Sequence, residues 1–361
     1  MSPDADLLHM RHALALGQRG LGNSWPNPAV GCIIVAENRI VGRGWTQPGG
    51  RPHAETMALA QAGPRAKGAT AYITLEPCAH HGQTPPCAAA LVKAGITRVV
   101  TATTDPDPRV SGKGHALLRA VGIQVTEHIA EAEARRANHG FFLRVEQNRP
   151  QVTLKLATSL DGRIATQSGQ SRWITGPEAR RAVHALRGQH DAVMVGIGTA
   201  LADDPDLTIR DLGFAHQPVR VVVDSALRLP LNSRLVQRAH EVALWLCHAP
   251  GTQDANLQAM GARLIPCRSA PGGLCITDLL AQLATAGLTR ILCEGGAGIA
   301  AALLAAGLVD DLVLVSAGRL FGADGTEAVA GLGEVTLGGA PEFQLVDQRP
   351  VGADLMQHWR R

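Results

Sequence analysis

Hydrophobic and polar positions follow two alternating periods over the first part of the chain, and this pattern predicts strands and helices in turn. An amphipathic stretch over 6–17 predicts a helix, and Ala29–Val35 with Arg39–Gly44 predicts two strands joined by a turn at Glu37 and Asn38. The other elements predicted here are helices over 53–62, 86–94, 114–121 and 131–143, and strands over 69–75, 97–103 and 123–128. Such alternation is typical of a layered α/β domain.

The polar, proline-bearing segment Glu146–Pro150 predicts a linker, and a second alternating pattern follows it. This pattern predicts strands over 152–157, 191–195, 219–223, 242–247, 290–293, 311–316 and 354–358, and helices over 177–187, 277–286 and 297–306. A length of 361 residues is enough for two hydrophobic cores. We therefore expect two α/β domains, residues 1–146 and 151–361.

Composition narrows the class of protein that these domains can form. Apolar residues make up 45% of the chain and its mean hydropathy is +0.04, as in an ordinary globular protein. A net charge of +3 and an aromatic content of 3% give no support for binding nucleic acid or an anionic membrane. No uninterrupted apolar run is long enough for a transmembrane helix, and the acidic N-terminus does not resemble a signal peptide. Seven cysteines do not suggest a disulfide framework, so we expect a cytoplasmic protein.

The strongest chemical signal is His53-Ala54-Glu55, with Cys78 and Cys87 further along the chain. One histidine and two cysteines suit Zn²⁺, and a catalytic zinc site needs three protein ligands and an open position for water. Glu55 is close enough to His53 in sequence to move protons between that water and a leaving amine. A histidine, a glutamate that is not a ligand and a Pro-Cys pair form the signature of nucleobase deaminases, although their second cysteine usually follows after two residues.

The surroundings of these residues favour a catalytic zinc over its alternatives. Each ligand lies at the end of a predicted strand or the start of a predicted helix, so the three can converge on one metal. A structural zinc and a chance pattern remain as alternatives, and His80 and His81 are rival ligands that fit better as pocket residues. Cys267 and Cys275 have a similar spacing without a preceding His-x-Glu, which indicates cysteines of the core.

In the second half, glycines at 295, 296 and 298 lie between a predicted strand and a predicted helix. The backbone can approach a phosphate closely there, and a helix N-terminus favours an anion, although a tight structural turn is the alternative. Asp310 and Asp311 come too early and at a strand's beginning, so a standard Rossmann dinucleotide site is not predicted. From composition alone, this half is an α/β domain that binds an anion.

Taken together, the motifs resemble the bifunctional riboflavin-biosynthesis deaminase/reductase family from about residue 8 to the C-terminus. The segments similar to its deaminase half are 26–32, 53–55, 74–80 and 82–87, and those similar to its reductase half are 154–163, 171–175, 201–205 and 294–296. The resemblance implies an α/β protein with a cytidine-deaminase-like α/β/α layer followed by a dihydrofolate-reductase-like domain. It also implies two reactions on a phosphoribosyl-aminopyrimidine: hydrolytic removal of the 2-amino group, then NADPH reduction of the ribosyl chain to ribityl.

The resemblance also assigns roles to individual residues. In the deaminase half it implies that His53, Cys78 and Cys87 bind zinc, that Glu55 moves protons, and that Asn27 and His80 contact the pyrimidine. In the reductase half it implies that NADPH is bound by Ala157, Trp173, Thr199, Asp203, Ser225, Gly295, Gly296, Ala297 and Gly298. The implied substrate residues are Ser171, Arg187, Leu207, Arg210 and Glu294, with the arginines on the phosphate. Lys155 and Glu294 are candidates for polarising or protonating the reacting group.

Two other functions are compatible with parts of the pattern. A deaminase acting on RNA or a free nucleoside, with an accessory second domain, would share the first motif. The phosphate-binding pattern of the second half and the few aromatic residues disfavour this alternative. A zinc-stabilised binding module would lose its fold without metal and show no activity. We expect a small-molecule enzyme that forms a homo-oligomer and binds neither nucleic acid nor membrane.

Overall fold

The structure is a computed structural model that describes residues 3–79 and 85–361. The chain divides into two compact units, Met1–Gln147 and Asn148–Arg361. Among the described helices, none is both long and apolar enough to cross a membrane.

The first unit is built on a five-stranded mixed sheet. Its elements are α1 (Pro3–Gly17), β1 (Gly31–Ala36), β2 (Arg39–Trp45), α2 (Ala54–Ala62), β3 (Thr70–Ile73), α3 (Cys87–Lys93), β4 (Arg98–Thr101), α4 (Lys113–Ala120), β5 (Gln124–Thr126), α5 (Glu131–Ala137) and α6 (His139–Gln147). The strand order is β2-β1-β3-β4-β5, in which β1 is antiparallel to β2 and β3, whereas β3, β4 and β5 are parallel. The predicted α/β layering is therefore confirmed.

Helices cover both faces of this sheet, because its interior strand β1 is apolar on both sides. Cys32 and Ile34 pack with the buried faces of α2, α3 and α4, whereas Ile33 and Val35 pack with α1 and α5. Successive strand residues point to opposite faces, so a continuous apolar run such as β1 needs cover on each side.

Helix α2 lies directly on the backbone of β2, with no layer of side chains between them. A Cβ atom at Gly42 would lie 2.2 Å from the Ala58 carbonyl oxygen, and one at Gly44 would lie 2.1 Å from the Ala54 carbonyl oxygen. Any side chain at these two strand positions would therefore push the helix away from the sheet. The glycines set the position of the first turn of α2.

The end of the first unit differs from the sequence prediction. The helix predicted over 131–143 is interrupted at Asn138, whose buried side chain accepts a hydrogen bond from the Ala29 N–H (2.8 Å) and donates one to the Ala29 carbonyl (3.1 Å). These two bonds tie Asn138 to distant backbone at the point where the helix is interrupted. Helix α6 then extends through Gln147, so Glu146 and Gln147 are helical where the sequence predicts a linker.

The second unit contains a nine-stranded sheet. Its elements are β6 (Gln151–Ser159), β7 (Arg163–Ala165), α7 (Pro177–Arg187), β8 (Ala192–Gly196), α8 (Ile197–Asp203), β9 (Val219–Val223), α9 (Arg234–Gln237), β10 (Leu244–His248), α10 (Ala255–Ala259), β11 (Arg263–Pro266), β12 (Ser269–Ala270), β13 (Gly273–Leu274), α11 (Ile276–Thr285), β14 (Arg290–Cys293), α12 (Ala297–Ala305), β15 (Asp311–Ala317), β16 (Thr326–Glu327), β17 (Gln344–Val351) and β18 (Asp354–Arg360).

The order of this sheet is β11-β10-β9-β8-β14-β6-β15-β18-β17, and only the last two pairings are antiparallel. The parallel strands place their carboxyl ends at one edge, which is where ligands bind in open α/β sheets. The predicted strands and long helices are present with small shifts, whereas the following elements were not predicted: α8, α9, α10, β7, β11, β12, β13, β16 and β17. Strand β17 is exposed along almost its whole length, so it lacks the apolar alternation that would indicate a strand.

Candidate active sites

The first unit brings His53, Cys78 and Cys87 together. His53 immediately precedes α2, Cys78 follows β3, and Cys87 is the first residue of α3. The His53 Nδ1 atom lies 3.3 Å from the Cys87 Sγ and 3.8 Å from the Cys78 Sγ, and all three donor atoms lie within 4.8 Å of one another. Within residues 3–79 and 85–361, this is the one group of three or more His, Cys, Asp or Glu side chains that could hold a metal ion.

The donor set and its spacing fit zinc. Donor atoms on one tetrahedral zinc stand about 3.3–3.8 Å apart, given Zn–N and Zn–S bonds of about 2.0 and 2.3 Å. The measured separations fall in that range without rearrangement of the backbone. Three protein ligands also leave the fourth position for water, which is the arrangement of catalytic sites.

The thiols of Cys78 and Cys87 differ in how readily they lose a proton. A hydrogen bond from Cys87 lowers the pKa of Cys78 to about 4, and the same pairing raises the pKa of Cys87. The Cys87 backbone N–H also donates to the Cys78 Sγ at 3.3 Å. The hydrogen bond with Cys78 raises the pKa of His53. The lowered pKa favours the thiolate of Cys78, which is the form that binds metal.

Glu55 lies on the first turn of α2, beside this group but outside it. Its side chain is 4% exposed, and burial raises the pKa of its carboxyl above the ordinary value. A carboxyl with a raised pKa exchanges a proton more readily near neutral pH than an exposed one. The structure thus places a buried carboxyl next to the metal-binding group, and its role as a proton carrier stays a prediction.

Asn27 and His80 are the other two residues predicted for this site. Asn27 is half-buried, and its amide lies against Gly50, where a Cβ atom would come within 1.8 Å of the Asn27 Nδ2. Gly50 has φ of +85°, so both its backbone conformation and its closeness to Asn27 require a glycine there. His80 lies outside the described residues, and its contact with the pyrimidine stays a prediction.

We expect Cys87→Ala to abolish zinc binding, because two remaining ligands do not complete the site. Metal analysis of the purified full-length protein measures this directly. Cys275→Ala is the matched control, since Cys275 is a half-buried thiol in the second unit. Zinc retained in Cys87→Ala, or lost equally in Cys275→Ala, would contradict the assignment of Cys87.

The second unit contains a cavity of about 990 Å³ beside the carboxyl ends of its parallel strands. Residues at or just beyond the ends of β6, β8, β9 and β14 form much of its wall. The cavity brings together every cofactor and substrate residue predicted for this half: Ala157, Trp173, Thr199, Asp203, Ser225, Gly295, Gly296, Ala297, Gly298, Lys155, Ser171, Arg187, Leu207, Arg210 and Glu294. Its volume is in the range of small-molecule and cofactor sites.

The glycine turn presents bare backbone to this cavity. Gly295 and Gly296 have φ of +116° and +98°, and α12 begins directly after them. A Cβ atom at Gly296 would come within 3.3 Å of the Thr199 Oγ1, whereas nothing lies within 4 Å of one at Gly298. The turn therefore places glycine backbone at a helix start on the cavity wall, with open space beside Gly298, which fits a phosphate of a dinucleotide.

Three charged side chains, Arg187, Glu294 and Lys155, lie together at the end of β14. Arg187 donates to Glu294 through Nε (2.5 Å) and Nη2 (2.8 Å), and its Nη1 donates to the Thr208 carbonyl (2.7 Å). Burial opposes ionisation of Glu294, but Arg187 and Lys155 lower the pKa of its carboxyl to about 2. Burial lowers the pKa of Lys155. The site thus holds a carboxylate and a lysine whose proton is more easily released than usual.

These contacts give Arg187 a role that the sequence did not predict. All three guanidinium nitrogens already bind protein acceptors, so Arg187 holds Glu294 in place in this structure. Its contact with a substrate phosphate stays a prediction. Two further residues of the cavity were missed: His184, which accepts the Arg210 N–H at 3.3 Å, and Asp206, which pairs with the Arg210 side chain at 3.1 Å. The spacing of three residues between His184 and Arg187 on α7 could have indicated the first.

Comparison with known protein families gives one match in each half. Residues 3–103 match the cytidine and deoxycytidylate deaminase zinc-binding region, and residues 150–356 match the RibD C-terminal domain. The riboflavin biosynthesis protein RibD of Escherichia coli strain K12 is 42% identical, covering 98% of each chain, and that of Aquifex aeolicus is 40% identical, covering 89% of each.

Solved structures agree over the full chain. Acinetobacter baumannii RibD is similar with a TM-score of 0.91 and 37% identity, covering 99% of both chains. A Thermotoga maritima diaminohydroxyphosphoribosylaminopyrimidine deaminase/5-amino-6-(5-phosphoribosylamino)uracil reductase is similar with a TM-score of 0.87 and 31% identity, again over 99% of both.

Fold and sites together define a two-domain enzyme, with a zinc-dependent deaminase unit followed by an NADPH-dependent reductase unit. The chain belongs to the RibD family of bifunctional riboflavin biosynthesis proteins.

Proposed function

We propose that this chain catalyses two successive steps on one substrate skeleton. The first unit removes the 2-amino group of 2,5-diamino-6-(5-phosphoribosylamino)pyrimidin-4(3H)-one as ammonia. The second unit reduces the ribosyl chain of the resulting 5-amino-6-(5-phosphoribosylamino)uracil to ribityl. The observation that carries the proposal is the buried Glu55 beside the His53, Cys78 and Cys87 group, on the same chain as the cavity with the glycine turn.

In the deamination, His53, Cys78 and Cys87 would hold the zinc, which when bound supplies Lewis-acid activation of water. Glu55 would accept a proton from that water at its carboxylate and donate it to the leaving amine. Its burial excludes bulk water, which would otherwise exchange the proton. Asn27, fixed in place by the close approach of Gly50, would orient the pyrimidine ring by its amide.

In the reduction, the Gly295–Gly298 turn would bind a phosphate of the cofactor, and NADPH when bound supplies the hydride. Trp173, which is 60% exposed, offers a flat apolar surface at the cavity wall. Lys155 would donate a proton from Nζ to the reacting oxygen or nitrogen, since burial lowers its pKa. The Glu294 carboxylate would attract the Lys155 ammonium group and keep it beside the reacting atom. Arg210 would bind the substrate phosphate.

Analysis of the products with and without NADPH tests the proposal. Without NADPH, the diaminopyrimidine phosphate should yield ammonia and one product in which an amino group is replaced by oxygen. With NADPH, that product should gain two hydrogen atoms, with one NADPH consumed. Ammonia released from cytidine, guanine or tRNA, with none from the pyrimidine phosphate, would support instead a deaminase of a different substrate class.

A fragment ending at Gln147 should release ammonia and consume no NADPH. Its core is internal to the first unit, and α6 ends at this residue. Ammonia assays and NADPH absorbance on the purified fragment and on the full chain measure both activities. An insoluble fragment would show that residues 1–147 do not form an independent domain.

We also propose a cytoplasmic homo-oligomer. The seven cysteines of the described chain are free thiols, two of them in the proposed zinc site, and reduced thiols are typical of that compartment. Leu345 and Val346 are exposed on the edge strand β17, where a second copy could cover them. Light scattering of the full chain at several concentrations measures the number of copies.

A further inference from the structure

Glu76 lies two residues before the ligand Cys78, and neither reaction accounts for it. Its side chain is 3% exposed, although an unpaired buried carboxylate is costly. Four backbone N–H groups from one later segment bind it. Oε1 accepts from Gly114 (2.9 Å) and His115 (3.4 Å), and Oε2 accepts from Gly112 (2.9 Å) and Asp105 (3.3 Å).

These bonds fasten the start of α4 to the end of the β3 segment. The first N–H groups of a helix have no partner within the helix, and the helix dipole favours a negative charge there. Glu76 satisfies both requirements at once, and its own N–H donates to the Thr103 carbonyl at 2.9 Å. The segment from 103 to 115 is thus fixed to Glu76 at both ends.

The fastened helix start presses on the peptide that leads to Cys78. A Cβ atom at Gly114 would lie 1.9 Å from the Pro77 carbonyl oxygen, so α4 and this peptide are in direct backbone contact. On the other side, the Cys78 carbonyl accepts the Ala88 N–H from α3 at 3.2 Å. Pro77 and Cys78 are therefore held between α4 and α3, and the carboxylate of Glu76 sets the position of α4.

We propose that Glu76 is a positioning residue for Cys78, so that the zinc affinity of the first unit depends on a carboxylate outside the ligand set. The proposal rests on the assignment of His53, Cys78 and Cys87 as the zinc site. Partners that orient a ligand in this way typically change metal affinity by about 10- to 100-fold when they are removed. The isosteric Glu76→Gln replaces one acceptor oxygen by an N–H₂ group, which faces N–H donors and repels them.

The test is the zinc dissociation constant of the full-length protein, measured by competition with a chelator of known affinity. We expect Glu76→Gln to weaken zinc binding by about 10- to 100-fold relative to the parent protein. Glu76→Asp should weaken it less, because aspartate keeps both acceptor oxygens. Gly114→Ala would place a Cβ atom against the Pro77 carbonyl and should also weaken binding. With Co²⁺ in place of zinc, both Glu76→Gln and Gly114→Ala should alter the thiolate-to-metal absorption band.

Asp6→Asn is the matched control. Asp6 is a buried carboxylate of the same unit, bonded to Tyr72 and Arg98 rather than to the segment around Cys78. It should lower stability while leaving the zinc dissociation constant unchanged. Zinc binding by Glu76→Gln within twofold of the parent, or an equal loss in Asp6→Asn, would overturn the proposal. A parent protein that binds zinc but releases no ammonia would contradict the proposed deamination alone, because the effect of Glu76 is read from metal affinity.

Discussion

Glu55→Gln should lower ammonia release by about 10²- to 10⁴-fold, the contribution typical of a positioned general acid–base group. Glutamine has nearly the same shape and fits the same buried position, but it cannot carry a proton between water and the leaving amine. Zinc content should stay that of the parent protein, because Glu55 is not among the three donor atoms. Ammonia assays and metal analysis on the same preparation measure the two properties together.

One further activity measurement and one further variant serve as controls for Glu55→Gln. NADPH-dependent reduction of the deaminated substrate should be unchanged, because the cavity lies within the second unit. Glu131→Gln, an exposed carboxylate of the first unit, should retain full ammonia release. Loss of zinc in Glu55→Gln would show that this carboxylate has a structural role at the metal, and retained ammonia release would assign proton transfer to another group.

Arg187→Ala should abolish most of the reductase activity and lower the free energy of unfolding of the second unit. The side chains of Arg187 and Glu294 are 12% and 9% exposed, and removing one member of such a pair leaves a buried charge without its partner. That loss typically costs about 3–5 kcal/mol. If Arg187 also binds the substrate phosphate, KM for the deaminated substrate should rise while the dissociation constant for NADPH stays nearly unchanged.

Denaturant unfolding, steady-state kinetics and NADPH titration separate these effects. Arg181→Ala is the matched control, because Arg181 lies on the same helix with its guanidinium exposed and bonded to the Asp211 carbonyl. It should change neither stability nor kinetics by a comparable amount. An equal loss of NADPH affinity in Arg187→Ala would place this arginine at the cofactor rather than the substrate, and unchanged stability would contradict the importance of its pairing with Glu294.

The metal-binding group could be predicted because its signals are local. His53, Cys78 and Cys87 each adjoin an element that the apolar pattern indicates, so their convergence followed from the order of strands and helices. Glu76 was visible in the same motif, but its partners lie around residue 112, and no periodicity connects the two segments. A role that depends on such distant backbone N–H groups cannot be inferred from one sequence.

In the second unit, too, local features could be predicted from the sequence, whereas long-range pairings could not. The glycine turn was evident from residues 295–298, whereas the pairing of Arg187 with Glu294 joins positions 107 residues apart. Helix α7 by itself would have allowed Arg187 to face solvent. Its partner is decided by which strand lies next to β8, and that order is a property of the whole sheet. The break at Asn138 was missed for a similar reason, since the backbone that its side chain binds is at Ala29.

The direct contact of α2 with the backbone of β2 has a thermodynamic consequence for catalysis. Because Gly42 and Gly44 leave no side chains to rearrange between strand and helix, the first turn of α2 loses its conformational freedom once, during folding. Binding of metal and substrate then need not order this turn again. Less of the intrinsic binding free energy is spent on immobilising His53 and Glu55, and more of it is retained for the transition state.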